Sequence, residues 1–403
     1  MREFDVAVAG SGLAGSLAAL AFAHDGFQVA LIAPENTRRD RRTTALMDHS
    51  IQLLQRLGLW EAVRPHAAAL RTMQIIDGTE RLLRAPTVAF HASEIGLDAF
   101  GYNFPNAALL DQLAEAIAQS GKIEIISASV RDARISDDRT ELDLDDDTTV
   151  SARLVIAADG RKSLIRGKAG IDVRNTTYPQ TAIVLNFAHE RLHGDVSTEF
   201  HTTTGPFTQV PLEPRRSSLV WVVRPEDAAM LMDMRPDALN RRIEERMQSM
   251  LGKIEVEDGW QAWPLSAMTA TSFGKHSVVL IGEAAHVFPP IGAQGLNLSL
   301  RDIERAVALA AERRARGETL AIGSEYDRAR RTDILSRTAS IDLLNRSLLS
   351  DFLPVQLARA AGLHVLSAVA PIRQMVMQEG VEPGRAFRGF PDRLREKIGR
   401  KQA

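Results

Sequence analysis

The sequence predicts an α/β fold in which one nucleotide-binding domain is interrupted by a β-rich domain and followed by helices. Three observations carry this. The chain opens strand–helix–strand around a glycine triplet, and its middle alternates apolar and polar residues between turn signals. A further apolar strand near residue 280 then runs into glycine, and from 293 onward the pattern is mostly helical. Signals for the first domain lie on both sides of the β-rich part, so that domain is discontinuous. A chain of 403 residues is also long for a single core.

Taken in order, FDVAVAG reads as a buried strand, LAGSLAALAFAHDG as a helix and FQVALIA as a second strand. This strand–helix–strand opening is Rossmann-like. In residues 43–60, TTALMDHSIQLLQRLGLW, apolar positions recur at helical spacing and Gly58 marks the end. Residues 108–122 form an amphipathic helix closed by Gly121. The stretches IEIISASVRDARIS and TELDLDDDTTVSARLVIAADG alternate like strands and stop at Asp159-Gly160. From about 181 to 268, TAIVLNFAH, STEFHTTTG and SSLVWVVRP predict an antiparallel sheet with one helix near 236–251. The expected division is therefore 1–75, 99–180 and 269–345 for the nucleotide-binding domain. Residues 76–98 and 181–268 form the inserted sheet, and 346–403 the C-terminal helices and tail.

Composition narrows the function classes. With 45% hydrophobic residues, 25% charged and a net charge of −2, the chain has no general attraction for nucleic acid. The absence of cysteine removes disulfides, thiolate chemistry and Cys-based metal sites, and fits a reducing compartment. The apolar start is not a signal peptide, because Glu3 and Asp5 stand where a basic region belongs. The most apolar later segment, AAGLHVLSAVAPI, is shorter than the roughly 18–20 residues that span a bilayer. The expectation is a cytoplasmic protein.

Gly10, Ser11, Gly12, Leu13, Ala14 and Gly15 spell G-x-G-x-x-G between strand and helix. The first glycine permits the tight turn, the second a close approach of pyrophosphate, and the third close helix–strand packing; the helix N-terminus offers amide donors. An acidic residue should follow the second strand to hold a ribose. Glu35 has the right offset but comes after Pro34, so ribose ligand and solvated turn residue stay open. A second strand ends at Asp159-Gly160 with Ser163 and Arg166 beyond it, and a third runs through Gly282-Glu283-Ala284-Ala285-His286 into Pro289-Pro290. A glycine turn, Gly292-Ala293-Gln294-Gly295-Leu296-Asn297, then opens a helix over 293–316, with Arg301-Asp302 inside it. Arg42 sits in a dense run of charges whose default explanation is a solvated cluster.

These three motifs, in this order, resemble the FAD-dependent aromatic hydroxylases. The third motif, Arg42-Thr43-Thr44-Ala45-Leu46, LLQRLGLW and FPNAALLDQLAEAI resemble their ubiquinone-biosynthesis branch. The resemblance covers residues 4 to about 305 and implies FAD as cofactor. It further implies that Arg42 reaches the FAD, that Val130 at a strand end contacts the adenine through its backbone, and that Asp159 belongs to the site. Glu283 replaces the family's aspartate and would accept hydrogen bonds from the ribityl chain. Pro290, Gly292, Ala293, Gln294, Gly295, Leu296 and Asn297 would enclose the flavin, with the helix N-terminus favouring its anionic reduced form. No metal and no catalytic side chain is implied; His286 reads first as a residue that shapes the loop, since the oxygen chemistry is the cofactor's.

The implied reaction is hydroxylation of a polyprenylated phenol by O₂ through a flavin C4a-hydroperoxide, walled from water by the inserted sheet. NAD(P)H or another electron donor would bind only transiently. The alternative is a flavin-dependent reductase or hydroxylase of the same fold acting on another small aromatic or prenyl substrate. Flavin halogenases share the fold, but Trp260 and Trp263 lack their Trp-x-Trp spacing and are expected in a domain-interface core. The C-terminal segment joins apolar helical spacing to a tail, 385–403, with seven Arg/Lys and two acids. It reads equally as a helix packed on the FAD domain with a frayed end, or as a peripheral contact with the inner membrane face or a biosynthetic partner.

Overall fold

The computed structural model describes residues 1–35, 40–79, 86–289 and 293–349, and, further on, 362, 364–366 and 368–381. It is a mixed α/β fold. The opening strand Arg2–Ala9 lies at the centre of a parallel array, with Val29–Ile32 and then Ile123–Ile126 on one side. Thr149–Ala157 and then Val278–Leu280 lie on the other. Val6, Ala7 and Val8 are wholly buried, as a strand covered on both faces must be, which explains its unbroken apolar run. Helix Leu13–His24 packs on this sheet and is buried from Gly15 to Ala23, so it is apolar nearly all round. Val130–Ile135 and Thr140–Leu144 extend the sheet antiparallel from Thr149–Ala157.

The larger, mostly antiparallel sheet holds nine strands. Its spine is the pairing of Val173–His189 with Gln261–Ala270 and with Arg216–Val223. Pro206–Pro211, Val196–His201, Thr72–Asp77 and Val88–His91 continue it outward. One face is sealed: Ile183, Leu185, Phe187, Phe200, Phe207, Leu219 and Trp221 are buried with residues of helices Pro225–Met232 and Pro236–Arg246.

Several expected boundaries move. Residues 43–60 are not one helix: Thr43–Met47 is a strand paired antiparallel with Gly101–Pro105, and the helix is Asp48–Arg56. The two β-branched threonines and a partner strand override the helical spacing, and Asp48 in the first turn marks the true start. The expected cut at 75/76 falls inside Thr72–Asp77, which pairs with the larger sheet. The cuts at 180/181 and 268/269 fall inside Val173–His189 and Gln261–Ala270, strands that run on past both limits. Helix Gly323–Leu349 likewise continues through 345.

Helix Ala370–Val381 buries Met377 and Val381 in a cluster with Val88, Phe90 and Phe100, and Arg373 binds Glu94 through Nε at 2.9 Å and Nη2 at 2.7 Å. No described helix is long and apolar enough to cross a membrane. The basic tail 385–403 lies outside the described residues.

Candidate functional site

Three adjacent parallel strands end where the three motifs begin. Gly10 N–H donates to Ile32 O, Ala158 N–H to Ala9 O, and Ile281 N–H to Ala157 O, so the motifs stand side by side at the carboxyl edge of the sheet. That edge is where ligands bind in open parallel sheets. Their glycines are contact points. A Cβ on Gly10 would lie 2.3 Å from Ala158 O, one on Gly15 would lie 1.9 Å from Gly10 O, and one on Gly282 would lie 3.2 Å from Ala14 Cβ. The three sequence motifs therefore touch one another. A Cβ on Gly12 would meet nothing within 4 Å. Helix Leu13–His24 starts there with no side-chain cap and no acidic residue in its first turn. Its first amides are left to a ligand with acceptor oxygens.

The next strand adds a polar orphan. Asp159 accepts Ile165 N–H through Oδ2 at 3.3 Å, while its Oδ1 is buried with no partner. Buried polar atoms are almost always paired, so this one marks a place for a donor. Ser163 caps helix Leu164–Lys168 by accepting Arg166 N–H at 3.0 Å. The buried Arg166 donates to Ala284 O at 2.9 Å and to Arg161 O at 2.9 Å, locking the second motif to the third.

Gly282, Glu283 and Ala284 form a single 3-10 turn, with Gly282 at φ +58° and Glu283 exposed. Arg42 feels the field of Glu283, but its Nε and Nη2 are held by Asp40 at 2.9 and 2.8 Å. Asp40 and Glu283 keep the Arg42 guanidinium even more firmly charged than usual, against the opposing effect of burial. Burial would raise the Asp40 pKa, yet hydrogen bonds from Arg42 and Asn106 bring it below the ordinary aspartate value. Arg42 is thus pre-set by a partner that the sequence run does not single out. Arg42 Cζ also lies 5.8 Å from the ring of Trp263. Trp263 is 48% exposed, so the expectation of an interface-core residue fails for it, although Trp260 does pack against the larger sheet's core. Trp263 sits on the sheet face away from the sealed core.

The turn from His286 to Asn297 is clamped at both ends. His286 is 2% exposed and its Nε2 lies 2.7 Å from Asp302 Oδ2, with the ring stacked on Phe288. Asp302 accepts Arg330 Nε at 2.7 Å, Arg330 binds Asp333 at 2.7 Å, Arg337 binds Asp333 at 2.9 Å, and Arg337 Nη1 donates to Gln294 Oε1 at 2.7 Å. A chain of charges running from the buried Asp302 through Arg330, Asp333 and Arg337 of helix Gly323–Leu349 therefore holds both His286 and Gln294. This supports the structural reading of His286. The sequence gives no hint of Arg330, Asp333 or Arg337, which follow the motif by more than 25 residues.

Asn297 is fully used by the protein. Its Oδ1 accepts Met47 N–H at 2.8 Å and Ser50 Oγ at 2.7 Å, and its Nδ2 donates to Ala45 O at 2.8 Å and Ala293 O at 2.6 Å. The expected ligand is, through its side chain, a staple that sets strand Thr43–Met47 against the turn. Ala293 occupies left-handed backbone space at φ +52° as helix Gln294–Ala315 begins. Gly295 has open space where a side chain would be, and Leu296 packs on the parallel-sheet core. Ser11 accepts Ser16 Oγ through its carbonyl, and Leu13 is half-buried. Val130 begins its strand opposite Leu144 and packs, half-buried, against the parallel-sheet core. Pro290 and Gly292 lie outside the described residues.

Comparisons with known proteins agree with this geometry. The family described as FAD binding domain matches residues 3–336. The chain is similar to a ubiquinone hydroxylase UbiL of Rhodospirillum rubrum, at 31% identity across 96% of this chain and 93% of the relative. It is similar to the 3-demethoxyubiquinol 3-hydroxylase of Escherichia coli, at 28% across 93% and 97%. Its fold matches that of p-nitrophenol 4-monooxygenase PnpA from Pseudomonas putida DLL-E4 with a TM-score of 0.76 at 20% identity, over 96% of this chain and all of that one.

Proposed function

Because the chain belongs to the FAD binding domain family, we propose that it is an FAD-dependent monooxygenase that hydroxylates the ring of a polyprenylated phenol in ubiquinone biosynthesis. The observation that carries this is the meeting of three motifs at one sheet edge, with an uncapped helix N-terminus beside an unpaired Asp159 oxygen. Those residues fit the cofactor. The Gly10–Gly15 turn would receive its pyrophosphate, Asp159 and Glu283 its hydroxyls, and Arg42 a part of the same molecule. The turn from Pro290 through Gly292 and Ala293 to Asn297 would lie against the flavin ring. When bound and reduced by NAD(P)H or another donor, FAD supplies the activation of O₂.

The protein's own part is placement and shielding. The charge chain from His286 to Gln294 fixes the turn, and Asn297 fixes the strand Thr43–Met47 next to it. The larger sheet, which we assign to the substrate, turns its unsealed face toward that strand: Thr43 Oγ1 donates to Ser218 Oγ at 3.0 Å. Excluding water there protects a reactive oxygen until the ring is reached.

Peripheral contact with an anionic membrane belongs to the same reading. Val365, Val369, Ile372 and Val376 are all exposed and recur at helical spacing, opposite the face that buries Met377. The chain that follows is rich in Arg and Lys. Deleting 382–403 and finding liposome flotation unchanged would remove this part.

The main test is direct. The purified protein should carry flavin, and with a reductant and O₂ it should convert a prenylated phenol to a product heavier by one oxygen atom. Flavin-loaded protein that reduces a side-chain alkene, or leaves every prenylated phenol untouched, would overturn the reading.

A further inference from the structure

The other face of the larger sheet, where Val184 and Val220 pack on a small cluster of Ala182, Val222 and Leu265, contains an anomaly. Ile183, Trp221, Phe207 and Phe200 stand in register across four strands and are buried on the sealed face. Successive residues of a strand point to opposite faces. Their neighbours Val184, Val220, Thr208 and Glu199, also in register, therefore form a row on the other face, and all four are half-buried. The row continues through Ile75 and Val88 into the cluster covered by helix Ala370–Val381. A carboxylate thus stands in the middle of a row that is otherwise valine, isoleucine and one threonine.

Burying a carboxylate among apolar groups is unfavourable unless it is hydrogen-bonded. Glu199 is bonded: its Oε1 lies 2.9 Å from His201 Nε2, and Thr208 Oγ1 donates to Oε2 at 3.3 Å. His201 is 7% exposed and shares the face, two residues along the same strand. Across the sheet, Asp77 is in register with His201 on the next strand, and its Oδ1 accepts both the amide and the hydroxyl of Thr79. The same face receives Thr43 at Ser218 and the Arg41 carbonyl at Asn186 Nδ2, 3.4 Å away. It is therefore the face turned toward the strand beside the cofactor turn.

We propose that Glu199, held by His201 and Thr208, is where the phenol hydroxyl of the substrate binds and the base that takes its proton. The inference rests on the reading above and names the polar end of that substrate's site. The step is a proton transfer only: the O–H bond breaks, its electron pair stays on oxygen, and the proton passes to the Glu199–His201 pair. The resulting phenolate pushes electron density onto its ortho and para carbons, which an electrophilic oxygen requires. The flanking valines and isoleucine suit a prenyl chain, and a site built to bond a hydroxyl rejects an analogue that lacks the donor.

The test uses the flavin-loaded full chain with 2-geranylphenol and its methyl ether. Wild-type protein should bind the phenol more tightly than the ether, read by quenching of flavin fluorescence. Glu199→Gln should bind the two equally. It should also hydroxylate about a hundredfold more slowly at neutral pH, with reductant diverted to hydrogen peroxide. Its rate should climb with pH toward the phenol's own ionisation, about pH 10 as for tyrosine. Glu199→Asp should restore part of both. Flavin content and the rate of flavin reduction should not change.

A Glu199→Gln variant with wild-type coupling and pH profile would overturn the assignment. So would wild-type protein that binds ether and phenol alike. If Glu199→Gln fails to fold, Thr208→Val carries the same readout: a shifted pH profile supports the assignment and an unshifted one overturns it. Wild-type protein that holds flavin yet hydroxylates no prenylated phenol would sink the functional reading itself, a result distinct from either.

Discussion

The carboxyl edge of the parallel sheet and the Glu199 face of the antiparallel sheet, the two places proposed to hold ligands, are built in different chemical languages. At the first, the backbone approaches itself so closely at Gly10 and Gly15 that only glycine fits, and the proposed cofactor would be bound by amides. At the second, the proposed substrate contacts are side chains, and any residue of suitable polarity fits the backbone. The difference teaches where sequence reasoning succeeds. Backbone recognition leaves an ordered string of glycines, whereas side-chain recognition is scattered over strands whose register no local pattern reveals.

The sharpest way to break this comparison is to add one carbon at two neighbouring glycines. Gly15→Ala would place Cβ 1.9 Å from the Gly10 carbonyl oxygen, a backbone atom that cannot swing aside. The expected result is loss of nearly all bound flavin and a large fall in Tm. Gly12→Ala meets nothing within 4 Å, so its Tm should hold while flavin affinity falls. If both variants lost Tm equally, close packing would not be what distinguishes the edge. Neither change should touch the antiparallel sheet.

Next in size is the clamp on the turn. Asp302 is wholly buried between His286 and Arg330, so Asp302→Asn leaves the buried Arg330 Nε facing a neutral amide, with Asp333 its remaining carboxylate. Removing one member of a buried ion pair costs about 3–5 kcal/mol. Denaturant unfolding of the flavin-free protein should read that loss. Flavin should also dissociate faster, because both ends of the turn depend on the chain of charges. A stable variant with loosened flavin would show that the chain serves the site more than the fold.

The sequence revealed the two ends of this clamp and Asp302, but not Arg330, Asp333 or Arg337. Gly10, Gly15, Asp159 and Gly282 could be found because a tight turn or a strand end requires them, and the structure brings all four together. Asn297 stands in the expected turn, but its side-chain amide is spent on residues 45–50 and on Ala293. Thr43–Met47 looked helical because its apolar residues suit either period, and only the pairing with Gly101–Pro105 decides. Glu199 could not be found at all. Its place in a row appears only when Val196–His201 is set between Pro206–Pro211 and Thr72–Asp77, the last far away in sequence.

A smaller effect comes with acid. Burial would raise the Asp333 pKa, but Arg330 and Arg337 outweigh it and hold the carboxyl below its ordinary value. A lowered folded value contributes stability that is fully present above the unfolded value, about 3.9, and lost as pH falls through the folded one. Flavin retention should therefore drop below about pH 4. Asp333→Asn should be less stable at neutral pH and show a shallower acid limb. An unchanged limb would place the acid sensitivity elsewhere, with Asp40 the next carboxylate to test.

The smallest expected change concerns Ala293, which separates the two languages at a single residue. It lies in the very turn where backbone recognition predominates, at φ +52°, yet it carries a Cβ. Left-handed backbone costs an alanine about 1 kcal/mol relative to glycine. Ala293→Gly should thus relieve strain in the folded state, while the glycine's extra freedom in the unfolded chain offsets part of the gain. The net effect on Tm should be small and positive. Flavin affinity decides what the strain is for. Gly292 precedes this position and Gly295 follows it closely, so a third glycine would loosen the start of helix Gln294–Ala315. Weaker flavin binding in a slightly more stable protein would mean that the alanine stiffens the turn at a cost in stability. Tighter binding would mean that the strain has no role in the site and that glycine is the better residue at this edge as well.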